Sequence, residues 1–110
     1  MTESRFEWEG PQDLLPTVTA ALQRVVDPEV ALNIVDVGLV YRVTVRDQRV
    51  DVDVTMTSAA CPVTDVIVSD IENELDRALP EDLKIHVELV WEPPWTPQRM
   101  SAKARLFMGW

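Results

Sequence analysis

One run of the sequence changes its apolar period, and that change limits what the chain can become. Val50, Val52, Val54 and Met56 alternate with Asp51, Asp53, Thr55 and Thr57, the period of a strand with one buried face. From Pro62 onward Val63, Val66, Ile67, Ile71, Leu75, Ala78 and Leu79 recur at helical steps, with Asp70, Glu72, Glu74, Asp76 and Arg77 mostly off that stripe, until Pro80 ends it. A third segment, Ile85, Val87 and Leu89 between Lys84, His86 and Glu88, returns to the two-residue period. Strand, helix and strand in this order describe a crossover that brings the last strand parallel to the first.

The junction between the two periods, Met56 to Thr64, reads MTSAACPVT and holds the only cysteine. Proline is favoured at the first helical position, where its missing N–H costs nothing, so Cys61 is expected at or beside the N-cap. Unpaired backbone N–H groups and the positive end of the helix dipole stabilise an anion there, which favours a thiolate. Cys61 is thus a candidate reactive or metal-binding thiol. Its competing reading is a small apolar residue packed under a helix, the commoner fate of a lone cysteine. A cysteine-nucleophile enzyme would need His86 as its base, and nothing in the spacing supports that dyad. A closed zinc site fails because the chain offers one cysteine and one histidine. Glu29, Asp36 and Asp65 are candidate hard-oxygen ligands beside Cys61. Against this, Asp65 in a first helical turn is ordinary dipole complementation, and Asp27, Glu29 and Asp36 suit turn capping.

Around this junction the remaining segments fall into place. Residues 1–11 lack periodicity, end in Gly10-Pro11, and read as a flexible tail before a single domain at 12–110. Leu14, Leu15, Val18, Ala21, Leu22, Val25 and Val26 line one helix face, which must stop by Asp27 because Pro28 follows. Residues 27–38 suggest a turn with a short helical piece, and Leu39 to Val45 a strand that reverses at Asp47-Gln48 to make an antiparallel hairpin. Trp91 to Pro97 is too rich in proline for helix or ladder and reads as an ordered extended connection. Ser101 is a fair N-cap for a last helix that runs through Met108 and stops at Gly109. The expected fold is a small two-layer α/β (α+β) domain with a three-stranded mixed sheet, in the order helix, strand, strand, helix, strand, helix.

Charge and composition exclude several classes. A formal charge of −9 argues against nucleic acid and anionic membrane surfaces as partners. The three glycines are too scattered to form a phosphate-cradling loop. One cysteine makes no intramolecular disulfide, and MTESRFEWEG has neither the basic stretch nor the apolar run of a signal peptide, so a cytoplasmic protein is expected.

Three blocks carry a family resemblance: DPEVALNIVDVGLVY from Asp27 to Tyr41, MTSAACP from Met56 to Pro62, and VELVWEPPWTPQRMSAKARLFMGW from Val87 to Trp110. Together they resemble the SufT/PaaD-type family of iron–sulfur cluster assembly proteins, whose eukaryotic members belong to the cytosolic targeting machinery. The resemblance places the family's reactive cysteine on Cys61, its strand-end threonine on Thr57 with Ser58 beside it, and its acidic residues on Asp27, Glu29 and Asp36. Ala60 stands where many relatives have glycine, and no cysteine-rich C-terminal segment of the PaaD branch is present, so the shorter SufT-like branch fits better.

What the resemblance implies is an assembly, trafficking or client-targeting factor rather than an enzyme. Its cargo would be a transient iron–sulfur cluster or iron, and its partners the assembly machinery and client apo-proteins. A cluster usually takes four cysteine ligands, so one thiolate needs help from a second subunit, a partner or a small thiol, and a homodimer is expected. The competing class is an adaptor for a client such as an oxygenase complex, docking through Trp91, Trp95 and Trp110 with Cys61 structural; the ordinary role of such tryptophans is local packing.

Overall fold

The computed structural model describes residues 6–28, 31–56, 64–80 and 82–109. Its frame is a four-stranded mixed sheet, ordered β1 (Glu7–Glu9), β4 (Val40–Arg46), β5 (Arg49–Val54), β6 (Lys84–Leu89). The β4–β5 hairpin is antiparallel, and β6 runs parallel to β5, as the crossover requires. Its two-residue turn places Asp47 at φ 51° and Gln48 at φ 62°, the positive pair that matches the right-handed twist of the strands. The first expectation to fall is the three-stranded count. Glu7–Glu9, inside the stretch read as a tail, pairs parallel to β4, while Phe6 ahead of it is buried in the core. Three residues are too few for a period to show; ion pairs from Arg42 to Glu7 (2.8 Å) and Arg46 to Glu9 (3.4 Å) help hold the strand in register.

Helix α1 is also shorter than its apolar pattern suggests, covering Leu15–Leu22 after a single 3-10 turn, with Pro16 in its first turn. Beyond it, β2 (Val26–Asp27) pairs antiparallel with β3 (Leu32–Asn33) in a second, two-stranded sheet. Pro28 forbids the helical region to Asp27, and the extended backbone that results is used for pairing. A short helix, α2 (Ile34–Val37), leads into β4.

Helix α3 (Thr64–Ala78) buries Ile67, Ile71 and Leu75 against the sheet and α1. Val66, assigned to that stripe from sequence, is exposed, because neighbouring residues are a hundred degrees apart on a helix and Ile67 holds the inward position. The last helix, α4 (Ala102–Met108), has the predicted caps: Ser101 Oγ accepts from Ala104 N at 3.1 Å, and Gly109 adopts φ 76°.

Val43, Val45, Val50, Val52 and Val54 point into the core that α1 and α3 close. The other sheet face is polar, with Glu7, Arg42, Asp53 and Glu88 forming one cross-strand row and Glu9, Thr44, Asp51 and His86 the next. Partial burial, and then the neighbouring Glu88 carboxylate, push the Asp53 carboxyl above its ordinary value, against the pull of Arg42. A carboxyl raised in the folded state favours folding while it is protonated and loses that contribution as pH rises through its folded value. Asp53→Asn should therefore melt higher than wild type at pH 7, and the gain should fade as pH falls through the carboxylate range. Thermal unfolding followed across pH checks the sign.

Candidate functional site

Both β5 and β6 end at one edge of the sheet, and β4 begins there. Two described connections meet at that edge, α2 with its flanks and the strap from residue 90 to residue 101, and the chain leaves β5 there on its way to α3. In sheets with parallel strands and helical crossovers, ligands are commonly held beyond the carboxyl ends of the strands. In the sequence Cys61, Thr57 and Ser58 fall between β5 and α3 and Glu29 between β2 and β3; all four, with Trp110, lie outside the described residues.

Asp36 is described, and its environment explains its residue type. Asn33 caps α2, its Oδ1 accepting from Asp36 N at 2.9 Å, while its Nδ2 donates to Asp36 Oδ2 at 2.9 Å. This reciprocal clasp supplies a partner for one orphan donor of the helix start and fixes the carboxylate. Asp27, at the end of β2, is fully buried, and its carbonyl accepts from Ala31 N at 2.8 Å across the turn.

A four-residue helix leaves every carbonyl in need of an outside partner, and here each can be traced. Gly38, at φ 85°, donates its N–H to Ile34 O and Val35 O, and Leu39 N also reaches Ile34 O. Ser101 N donates to Asp36 O at 2.8 Å, and Trp95 Nε1 donates to Val37 O at 2.9 Å. The strap is thus the C-terminal cap of α2. It is tied a second time to β4, where Tyr41 Oη donates to Pro93 O at 2.7 Å and the Arg99 guanidinium lies 4.4 Å from the centre of the Tyr41 ring. An open cleft of about 570 Å³ between strap and sheet edge is lined by Glu7, Gly38, Tyr41, Pro93 and Arg99, among others.

Of the three tryptophans assigned to a docking surface, Trp95 is half-buried through this bond, Trp91 stays 43% exposed, and Trp110 lies outside the described residues. His86 faces solvent on the polar side of the sheet, 3.6 Å from Glu88. It pairs with Asp51, three residues before the end of β5 and so about 10 Å upstream of the edge just described. Among the described residues no group of three or more His, Cys, Asp or Glu side chains is placed to hold a metal ion, and no helix is long and apolar enough to cross a membrane.

Thr55 went unread as a site residue. The alternation puts it outward, yet it is buried, because the ladder to β4 ends at Val54 and the chain turns so that Thr55 N donates to Leu39 O at 2.8 Å. Its Oγ1 has no hydrogen-bond partner among the described residues, two positions before Thr57. Asn33 did carry a signal: an Asn three residues before an acid at the start of an apolar tetrad is an N-cap pattern.

Comparison with known proteins decides what this edge belongs to. Residues 16–89 match the family described as iron–sulfur cluster assembly protein. The chain belongs to that family. Among relatives of this cluster-assembly chain, the Fe-S protein maturation auxiliary factor YitW of Bacillus subtilis is 39% identical over 97 residues, 87% of this chain and 94% of that one. The Fe-S protein maturation auxiliary factor SufT of Staphylococcus aureus is 42% identical over 77% of this chain and 97% of its own length. Among solved structures, a domain of unknown function from Bacillus anthracis superposes with a TM-score of 0.83 at 39% identity, covering 89% of this chain and 93% of that one. The SufT-type resemblance read from the three sequence blocks is thereby established.

If the strap holds α2 as described, weakening either end of the contact should cost stability. A Cβ built on Gly38 would overlap Arg99 O, so Gly38→Ala combines a left-handed backbone with displacement of the strap and should lose about 2 kcal/mol or more. Trp95→Phe removes the indole donor from Val37 O together with part of the packed ring and should lose about 1–2 kcal/mol. Urea unfolding measures both, and unchanged midpoints would mean the strap does not hold α2.

Proposed function

We propose that this protein is a maturation factor that helps insert iron–sulfur clusters into client apo-proteins or pass them on, with the Cys61 thiolate as the group that touches the cargo. What carries the reading is the place of Cys61 in the chain, between the end of β5 and the start of α3, in the connection that shares the sheet edge with α2 and the strap. Orphan N–H groups and the dipole at the start of a fifteen-residue helix favour thiolate over thiol. Family membership and the likeness to maturation auxiliary factors point the same way.

Thiolate sulfur is a soft donor suited to iron, whereas one thiolate is fewer than the four ligands a cluster usually takes. Remaining ligands would come from a second subunit, a partner of the assembly machinery, a client or a small thiol. A cargo held through one protein ligand is released by exchanging that ligand, which suits transfer better than storage. In this reading the hydroxyls of Thr57 and Ser58 donate toward the sulfur or its cargo. Asp36, oriented by Asn33, and Glu29 supply hard oxygen donors for iron before it is sulfided. The reducing cytoplasm would keep the thiol available.

A second reading, an adaptor that docks a client with Cys61 structural, draws on the exposure of Trp91. The two separate on one variant. Serine is nearly isosteric with cysteine and can itself act as an N-cap, so Cys61→Ser should change stability by no more than about 1 kcal/mol. Losing groups that merely orient a metal ligand costs about 10–100-fold in affinity, so losing the ligand itself should cut anaerobic cluster transfer to an apo-protein by at least about tenfold. Transfer at the wild-type rate by a normally folded variant would favour the adaptor. Native-state thiol labelling gives an independent measure, rapid for an N-cap thiolate and slow for a packed cysteine.

A further inference from the structure

Ten lysine and arginine residues serve a chain of net charge −9, and most of those described are already engaged. Arg24 and Arg77 pair with Glu74, Arg42 with Glu7, Arg46 with Glu9 and Arg49 with Asp51, while Arg99 lies over Tyr41. Lys103 and Arg105 on α4 make no ion pair among the described residues, and from Pro97 to Trp110 there is no Asp or Glu. The same helix carries the two most exposed large apolar side chains among the described residues, Leu106 at 83% and Phe107 at 66%. Helical geometry places Lys103 one turn back, between those two, while Ala104 and Met108 face the body of the protein.

A counterpart of opposite charge lies on the same molecule. Val66 in the first turn of α3 is 52% exposed, with Asp65 on one side and Asp70 on the other and no basic residue from Thr64 to Asp76. Both patches lie toward the sheet edge where β5 ends: α3 starts after β5, and α4 packs on α2. We propose that these patches bind each other between two copies of this chain, α4 of one protomer seated on the first two turns of α3 of its partner, and reciprocally about a two-fold axis.

Charge selects a second copy as the occupant. Two bodies of charge −9 repel over most approaches, and the face that combines free cations with exposed apolar side chains is the one on which a second copy gains rather than loses. Leu106 and Phe107 cover Val66 while Lys103 and Arg105 reach Asp65 and Asp70, so apolar and ionic complementarity agree. A seven-residue helix buries less than the roughly 800 Å² per partner of a stable complex even when the contact is made twice, so the dimer is reversible and concentration-dependent. The contact stands whether or not Cys61 ligates a cluster, so its readout is mass and not cluster transfer.

Sedimentation equilibrium of the full chain tests the assignment. For wild type, the mass should rise with concentration from 12.5 kDa toward twice that value. Lys103→Glu with Arg105→Glu should weaken association at least about tenfold. Asp65→Lys with Asp70→Lys should do the same, and mixing the two charge-reversed proteins in equal amounts should restore it, an outcome that misfolding of either variant cannot produce. Wild type that stays monomeric up to about 1 mM, or a mixture that stays monomeric, would overturn the proposal. So would a monomer that co-sediments with phosphatidylglycerol vesicles through α4, which would make that face a lipid contact.

Discussion

Two carbonyl groups, those of Asp36 and Val37, set the terms for this end of the molecule. They close a helix too short to pair its own acceptors, and at this edge the partners come from the strap, through the Ser101 amide and the Trp95 indole. Left buried without a partner, either carbonyl would cost about 1–3 kcal/mol, so the strap stabilises α2. Gly38 follows from the same need. It must turn left-handed to end α2, and it must have no side chain because the Arg99 carbonyl passes where a Cβ would be. Tyr41 and Arg99 then brace the strap from β4.

The sheet divides the molecule's chemistry cleanly. One face is a valine wall closed by α1 and α3, and its burial is the main stabilising term. The other is a field of cross-strand charges in which Arg42 lies between Glu7 and Asp53. That charged face needs no helix over it. Binding residues on connections held by a rigid sheet are a common arrangement, and two described connections, α2 with its flanks and the strap, meet at one end of this sheet.

Elements whose periodicity runs for several residues were legible from sequence: the β4–β5 hairpin, α3, β6 and α4 with both of its caps. The parts that escaped did so for definable reasons. β1 is three residues long and declares itself only through side chains of β4. α1 ends early because Asp27 beside Pro28 is drawn into a pairing that no local pattern announces. Val66 looked like a stripe residue because apolar type was counted without its angle about the helix. At the site, Cys61 lies outside the described residues, while Asp36 was legible as a capping acid, the role its clasp with Asn33 gives it. Tyr41, Arg99 and Thr55 were not, because their roles come from contacts or burial that the folded chain creates. The rarest sequence block, Trp91 to Pro97, proved to be the strap, its prolines excluding ladder and helix alike.

The order in which the chain is made gives the strap a further meaning. Val37 and Trp95 are 58 positions apart, and the family match to residues 16–89 stops before the indole that completes α2. During synthesis the helix ahead of β4 emerges early, and its last carbonyls stay in water until the strap has followed it. The end of the sheet at which β4 begins can therefore close only after the strap has emerged.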